Sequence, residues 1–454
     1  MLRLKNTLSI LLLACLASGT LADSPRQSTH EFTLANGLRV IVREDHRAPV
    51  VVSQLWYKVG SSHEPPGQTG ISHALEHMMF KGSKSLEPGE ASRVLRELGA
   101  EENAFTSRDY TAYYQVLGRE QLAVALEMEA DRMRTARLPE DEFIREMEVI
   151  KEERRLRVDD SPNSLAYERF FTQAHMASPY RQPVIGWMHD IERLTVADLR
   201  AWYDTYYQPG NAILVIVGDV TLEQAKPMVE RFFAPIPAGP VPAEKLPLDI
   251  PGGAERQVSI EVDVQLPSLI MGFNVPSLNT VDEAWEVYAL RLLSGVLDGG
   301  YSARLASRLE RGTATATSAS ASYSAFNRGD SLFLLSGIPN QARNISLEDL
   351  ERALWAEIDE LKSNPPDSAE LSRVKTQMIA SQTYAQDSIT HQANLIGRLE
   401  SVGLPWTLLD EDTAALEAVT PEQISQVAQR YLTRERLTRA HVIPNRQEEP
   451  TDGQ

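Results

Sequence analysis

The chain has 454 residues, 42% of them hydrophobic and 24% charged, with a formal net charge of −18. This is the composition of an ordinary globular protein with apolar mass for more than one core. The acidic balance argues against nucleic acid, whose phosphates demand clustered Lys and Arg, and it reads first as a charge that keeps the protein soluble.

The N-terminal stretch MLRLKNTLSILLLACLASGTLADSP sets a short basic start (Arg3, Lys5) before an apolar run from Leu8 to Leu16, then small residues and a polar break. That is the layout of a secretory signal peptide over residues 1–22, too short to span a bilayer, with cleavage after Ala22. The expected location is periplasmic or secreted. Leu12-Leu13-Ala14-Cys15 also resembles a bacterial lipobox with Cys15 as the lipidated residue, although Leu13 fits it poorly. Cys15 is the only cysteine, so a cleaved chain holds its core without a disulfide. No later segment approaches about 18 unbroken apolar residues, and no transmembrane helix is expected in the mature chain.

From Glu31 the sequence alternates. EFTLANGLRVIVRED and VVVSQLWYKVG read as strands, with Asn36-Gly37 as a hairpin turn. The loop SSHEPPGQTG precedes a helix, GISHALEHMMFKGS, and PGEASRVLREL forms another, ended by Gly99. ENAFTSRDYTAYYQVL reads as two strands, followed by helical stretches near Arg119–Ala136 and Glu140–Val158. SPYRQPVIGWMHDIERL reads as loop, TVADLRAWYDTYY as a helix capped by Thr195, NAILVIVGDV as a buried strand and TLEQAKPMVERFF as the last helix of a first half, residues 28–234. Residues 235–253, PIPAGPVPAEKLPLDIPGG, are rich in proline and without period, and form the best linker in the chain. A second half, residues 254–446, repeats strands, helix, strands and helices in the same order. The fold class is therefore α+β, built from two homologous halves related by internal duplication.

In GISHALEHMMFKGS, His73, Glu76 and His77 stand at i, i+3 and i+4 and share one helix face. Two imidazoles supply two ligands of a catalytic zinc, which needs three plus an open position. The bland alternative is a histidine pair satisfied by backbone. A third ligand could come from FIREMEVIKEERRLRVDD, where Glu146 and Glu153, seven apart, share a face with Val149 and Leu156 alongside; the competing reading is an exposed charged helix. The helix of the second half that matches the first, YALRLLSGVL, has no histidine, so one metal site per chain is expected. Mn²⁺ or Co²⁺ would also suit two His and a carboxylate, with Zn²⁺ favoured.

His73-x-x-Glu76-His77 is the inverted zinc motif, and from about Glu31 to Pro444 the chain resembles the pitrilysin, insulysin and mitochondrial processing peptidase family of zinc metallopeptidases. The resemblance implies Glu153 as third ligand, Glu76 as general base and Glu146 as a carboxylate that orients the site. It also implies that NAFTSRDYTAYY holds an edge strand, with Asn103, Ala104, Phe105 and Thr106 along the backbone of a peptide substrate. The family fold encloses a chamber like a clam shell, usually with a pair of such chains.

One stretch departs from the family pattern. Many members carry an Arg and a Tyr in the second half that contact the peptide; here Arg304, Arg308 and Arg311 are available, but Thr315 stands where the Tyr would be. This is similar to the bacterial exported subtype, whose zinc chain pairs with a related zinc-free chain. A heterodimer with such a subunit is expected, or otherwise a homodimer. The competing functional reading is a non-catalytic structural subunit, and a zinc-storage protein finds no His-rich tract to support it.

Overall fold

The computed structural model describes residues 28–243, 245–250 and 253–445; the signal-peptide and lipobox segment lies outside these residues. Strands β1 (Thr29–Thr33), β2 (Arg39–Glu44) and β3 (Val50–Tyr57) open the first half, followed by helices α1 (Ile71–Met78) and α2 (Glu90–Glu97). Then come β4 (Glu101–Thr106), β5 (Thr111–Gly118), α3 (Leu122–Thr135), α4 (Glu140–Arg154), α5 (Pro162–Ala174), α6 (Met188–Ile191), α7 (Val196–Tyr206), β6 (Ala212–Gly218) and α8 (Leu222–Phe233). The second half holds β7 (Arg256–Val262), β8 (Ser268–Val275), α9 (Ala284–Asp298), β9 (Ala316–Tyr323) and β10 (Ser331–Pro339). It closes with α10 (Leu347–Ser363), α11 (Ser368–Ala385), α12 (Ile389–Ser401), α13 (Leu408–Ala418), α14 (Pro421–Tyr431) and β11 (Leu437–Pro444). No helix among the described residues is long and apolar enough to cross a membrane.

The duplication is visible in the sheets. The first runs β1-β2-β6-β3-β5-β4 and the second β7-β11-β8-β10-β9. In each, the last strand of the half lies parallel to an early one (β6 to β2, β11 to β7) and every other pairing is antiparallel. β1 is the one addition, and it pairs with β2 through the Asn36-Gly37 turn, where Gly37 takes a positive φ. β3 does not lie beside β2, because the buried strand β6 inserts between them. α9 takes the place of α1 in the chain order of its half.

Each sheet packs one face on its own helices. α1, α3, α7 and α8 close the first core over Val40, Leu55, Tyr57 and Leu214. The opposite faces are covered by exchange. From the second half, α12 lays Ala393 and Ile396 across Ile41, Trp56, Ile213 and Val215 of the first sheet. From the first half, α5 lays Ala166, Phe170 and Ala174 across Ile260, Ile270 and Val442 of the second. The sequence reading assigned no helix to α5, α12 or α13. α5 and α12 turn their apolar residues to a sheet of the other half, whereas α13 packs Leu416 into the core of its own half.

Candidate active site

Helix α1 is set rigidly. Ile71, Ala74, Leu75 and Met78 are buried in the first core. Its N-terminus turns through Gly70 at φ 87°, where a Cβ would stand 2.6 Å from the Ile185 carbonyl, so only glycine fits. Gly70 has no side chain to cap the helix; Glu64 does so from the preceding loop, accepting the Gly70 N–H at 2.7 Å and the Ser72 N–H at 2.9 Å. Burial pushes the Glu64 carboxyl up to about 7 against these bonds.

Helix α4 buries Phe143, Met147, Ile150 and Arg154. Glu146 and Glu153 flank that stripe and reach α1, whereas Val149 and Leu156, expected beside them, are 50% and 65% exposed. At about 100° per residue they fall farther round the helix, on its outer side. Arg154 locks the helix end by a paired bond to Glu168 of α5 at 2.9 and 3.0 Å. A π-helical turn, Arg155–Asp159, follows.

The three expected ligands converge. His73 Nε2 lies 3.7 Å and His77 Nε2 3.5 Å from the same oxygen of Glu153, Oε2, and one atom from each of the three residues lies within 4.8 Å of the others. These separations are too long for hydrogen bonds, and they approach the roughly 3.3 Å edge of a tetrahedron with zinc-ligand bonds of about 2.0 Å. The donor set therefore fits zinc. Burial, with help from neighbouring His77 and Arg157, pulls the His73 imidazole down to about 3 and keeps it in the neutral form that ligates metal. His77 Nδ1 lies 3.1 Å from Glu146 Oε2, which fixes the ring with Nε2 turned to the ligand cluster. His73 Nδ1 is buried with no such partner among the described residues. Lys81 Nζ sits 2.5 Å from Glu146 Oε1. Burial raises the Glu146 carboxyl, but the bonds from Lys81 and His77 outweigh it and leave the pKa lowered.

Glu76 stands beside the cluster. Burial raises its pKa, while the Thr106 hydroxyl donates to Oε2 and opposes that rise. Its other oxygen makes no hydrogen bond among the described residues. β4 pairs only with β5, so its outer edge is open. Asn103, Ala104, Phe105 and Thr106 all line a cleft of about 680 Å³ together with His73, Glu76, His77 and Glu153. Along the strand Ala104 and Thr106 turn toward α1, while the Phe105 ring packs edge-on against Trp56, 5.3 Å between centroids, on the other face. Among the described residues, none of the second half lines this cleft. Arg304 pairs with Glu370, Arg308 with Glu357, and Arg311 stacks on Tyr301, so these arginines serve their own half.

Lys81, Arg157 and Glu64 were not singled out from sequence. Lys81 follows His77 by four residues and Arg157 follows Glu153 by four, a spacing that marks helical neighbours; Arg157 reaches Glu153 Oε1 at 2.7 Å. Glu64 sits in a loop and gives no periodic signal.

Comparison with known proteins decides the family. Residues 39–186 match the insulinase (peptidase family M16) model, and residues 193–378 match the peptidase M16 inactive domain. A zinc protease of Helicobacter pylori, PqqE, is 34% identical over 400 residues, spanning 87% of this chain and 85% of the relative. The chain belongs to peptidase family M16. The mitochondrial-processing peptidase subunit beta of Lentinula edodes, another relative, is 26% identical over 412 residues, covering 88% and 86% of the two chains. A crystal structure of a Helicobacter pylori protease superposes with a TM-score of 0.85 at 30% identity, covering 92% of this chain and all of that one. The first half of the periplasmic protease PqqL of Escherichia coli shares the fold, with a TM-score of 0.78 at 20% identity and 92% of each chain covered. The M16 inactive-domain match begins at residue 193, within the first half, and takes in helix α9 of the second, which lacks the histidine pair.

Proposed function

We propose that this M16 chain is an exported zinc endopeptidase acting on extended peptides or unfolded polypeptides. The observation that carries the reading is the convergence of His73, His77 and Glu153 beside Glu76, at the foot of an open edge strand. His73, His77 and Glu153 would hold the metal, which acidifies water and acts as a Lewis acid toward a carbonyl. Glu76, half-buried and with one oxygen unbonded among the described residues, accepts the proton of the attacking water and delivers it to the leaving amine. Glu146 orients His77, and β4 receives the substrate backbone as an added strand, which limits substrates to chains that can extend. The N-terminal signal layout supports export, to the periplasm or beyond.

That the second half adds nothing to the cleft supports a partner chain supplying the missing wall, a related zinc-free subunit by preference. A native chain that cleaves peptides alone as fast as a reconstituted pair would refute this. The test of the enzyme reading is zinc content and peptide cleavage in the native chain and in Glu76→Gln. Zinc retained with cleavage lost is expected, and chelated protein should regain activity with one equivalent of zinc. A native chain that binds no zinc supports the non-catalytic subunit instead.

A further inference from the structure

Four buried guanidiniums of this chain are each matched by a carboxylate. Arg132 pairs with Glu129, Arg154 with Glu168, Arg304 with Glu370 and Arg328 with Asp109. Arg108 differs from these, and also from Arg256 and Arg398, which lack a carboxylate but bond hydroxyl, amide or carbonyl oxygens. Its Nε is enclosed without a hydrogen-bond partner, and its guanidinium makes no ion pair or hydrogen bond among the described residues. It lies over the Phe171 ring, 4.8 Å from the centroid, and 5.9 Å from that of Tyr180. The adjacent carboxylate, Asp109, is already taken by the hydroxyls of Ser62 and Tyr180 and by the Arg328 amide. Burial therefore disfavours the cation, and the nearby Tyr180 and Asp109 offset this only in part.

The backbone holds Arg108 in place. It sits at the tip of the β4–β5 hairpin, where the Ser62 N–H donates to its carbonyl at 2.8 Å and the Ser61 N–H to the Ser107 carbonyl at 3.1 Å. Arg108 also lines the cleft that holds Glu76 and Thr106. Arg181 lines it too, with a bond only to the Met176 carbonyl at 3.3 Å. Glu168, a carboxylate of the same wall, is occupied by Arg154.

We propose that Arg108 is a specificity-determining residue that binds a carboxylate of the peptide substrate, an acidic side chain or the free C-terminus, at the hairpin end of β4. The proposal rests on the peptidase reading above. A planar guanidinium backed by an aromatic ring presents paired N–H donors that match a carboxylate. An internal acidic partner is missing, so the incoming chain supplies it.

The test uses one peptide sequence in three forms: C-terminal amide, C-terminal acid, and amide with a single Glu scanned along its length. Binding is read by fluorescence anisotropy on zinc-loaded Glu76→Gln, which leaves the peptides intact, and cleavage is read on the native chain. A carboxylate-bearing form should bind about tenfold tighter than the neutral amide, and Arg108→Gln in the same background should bring the ratio close to one. Arg108→Lys should keep part of it. The acid and Glu forms separate a C-terminal from a side-chain source. In the chain with Arg108 intact the ratio should shrink as salt rises from about 50 to about 500 mM, a reading that stands even if a variant fails to fold. Equal affinity for all three forms, no binding of any, or a ratio unmoved by Arg108→Gln in a chain of native denaturation midpoint overturns the proposal. A clear binding ratio in a zinc-loaded native chain that cleaves nothing, either alone or reconstituted with the related subunit, would keep Arg108's role and overturn the peptidase reading.

Discussion

The hydroxyl of Thr106, the last residue of β4, donates a hydrogen bond to the carboxylate of Glu76 on α1. One contact thus joins the open strand edge to the residue that would move the proton. Burial raises the Glu76 pKa and this bond opposes the rise, so Thr106→Val should raise it further. A base must be ionised, so the acid limb of kcat/KM should shift to higher pH in the variant. The loss should be greatest on the acid side and fade as pH rises, and a pH–rate profile with unchanged limbs would count against Glu76 as the base.

Glu146 would act on a bound metal through His77. Glu146→Gln removes the charge that holds the ring and its balance with Lys81. Zinc affinity should fall about 10- to 100-fold, measured by competition with a chromophoric chelator. Truncating exposed Glu148 on the same helix should leave it unchanged.

Glu64 ties the cap of α1 to pH. Its folded pKa of about 7 lies above the ordinary 4.5, so its contribution to stability is full below about 4.5 and is lost as pH rises through 7. Glu64→Gln should flatten that part of the denaturation-midpoint profile. Glu64→Ala leaves two buried N–H groups at Gly70 and Ser72 without their acceptor and should cost about 2–4 kcal/mol at pH 5, where the carboxyl is mostly protonated.

Gly397 of α12 meets the indole of Trp56 so closely that a Cβ would stand 2.0 Å from the ring. Alanine gains about 1 kcal/mol in helix propensity, but overpacking against a buried ring costs about 1–3 kcal/mol, and at this distance the clash wins. Gly397→Ala should lower the denaturation midpoint and change Trp fluorescence. Trp56→Leu should relieve part of the loss in a double-mutant cycle.

Much of the site is written locally. His73, Glu76 and His77 share a face by helical spacing alone, and Glu146 and Glu153 keep theirs over two turns of α4. The role of Val149 and Leu156 was not legible, because spacing tells which residues share a face but not where the buried stripe of that helix is centred. Phe143, Met147 and Ile150 centre it, and the carboxylates sit on its flank. Arg108 and Glu64 lie in turns, where no period marks a neighbour. The order of elements exposed the duplication, but the exchange of α5 and α12 was hidden: Phe170 and Ile396 announce that they are buried, not which sheet buries them.

That exchange also sets a timetable for the growing polypeptide. When residues 28–234 have left the ribosome, the strands around Trp56, Ile213 and Val215 have their inner helices but not α12, which is complete only at Ser401. Until then an apolar sheet face stands bare, a ready surface for chaperones and for misassociation. The half that carries the candidate metal ligands is thus finished only by a late segment of the other half, and a chain cut before Ser401 would hold all of those residues on a sheet with one face uncovered.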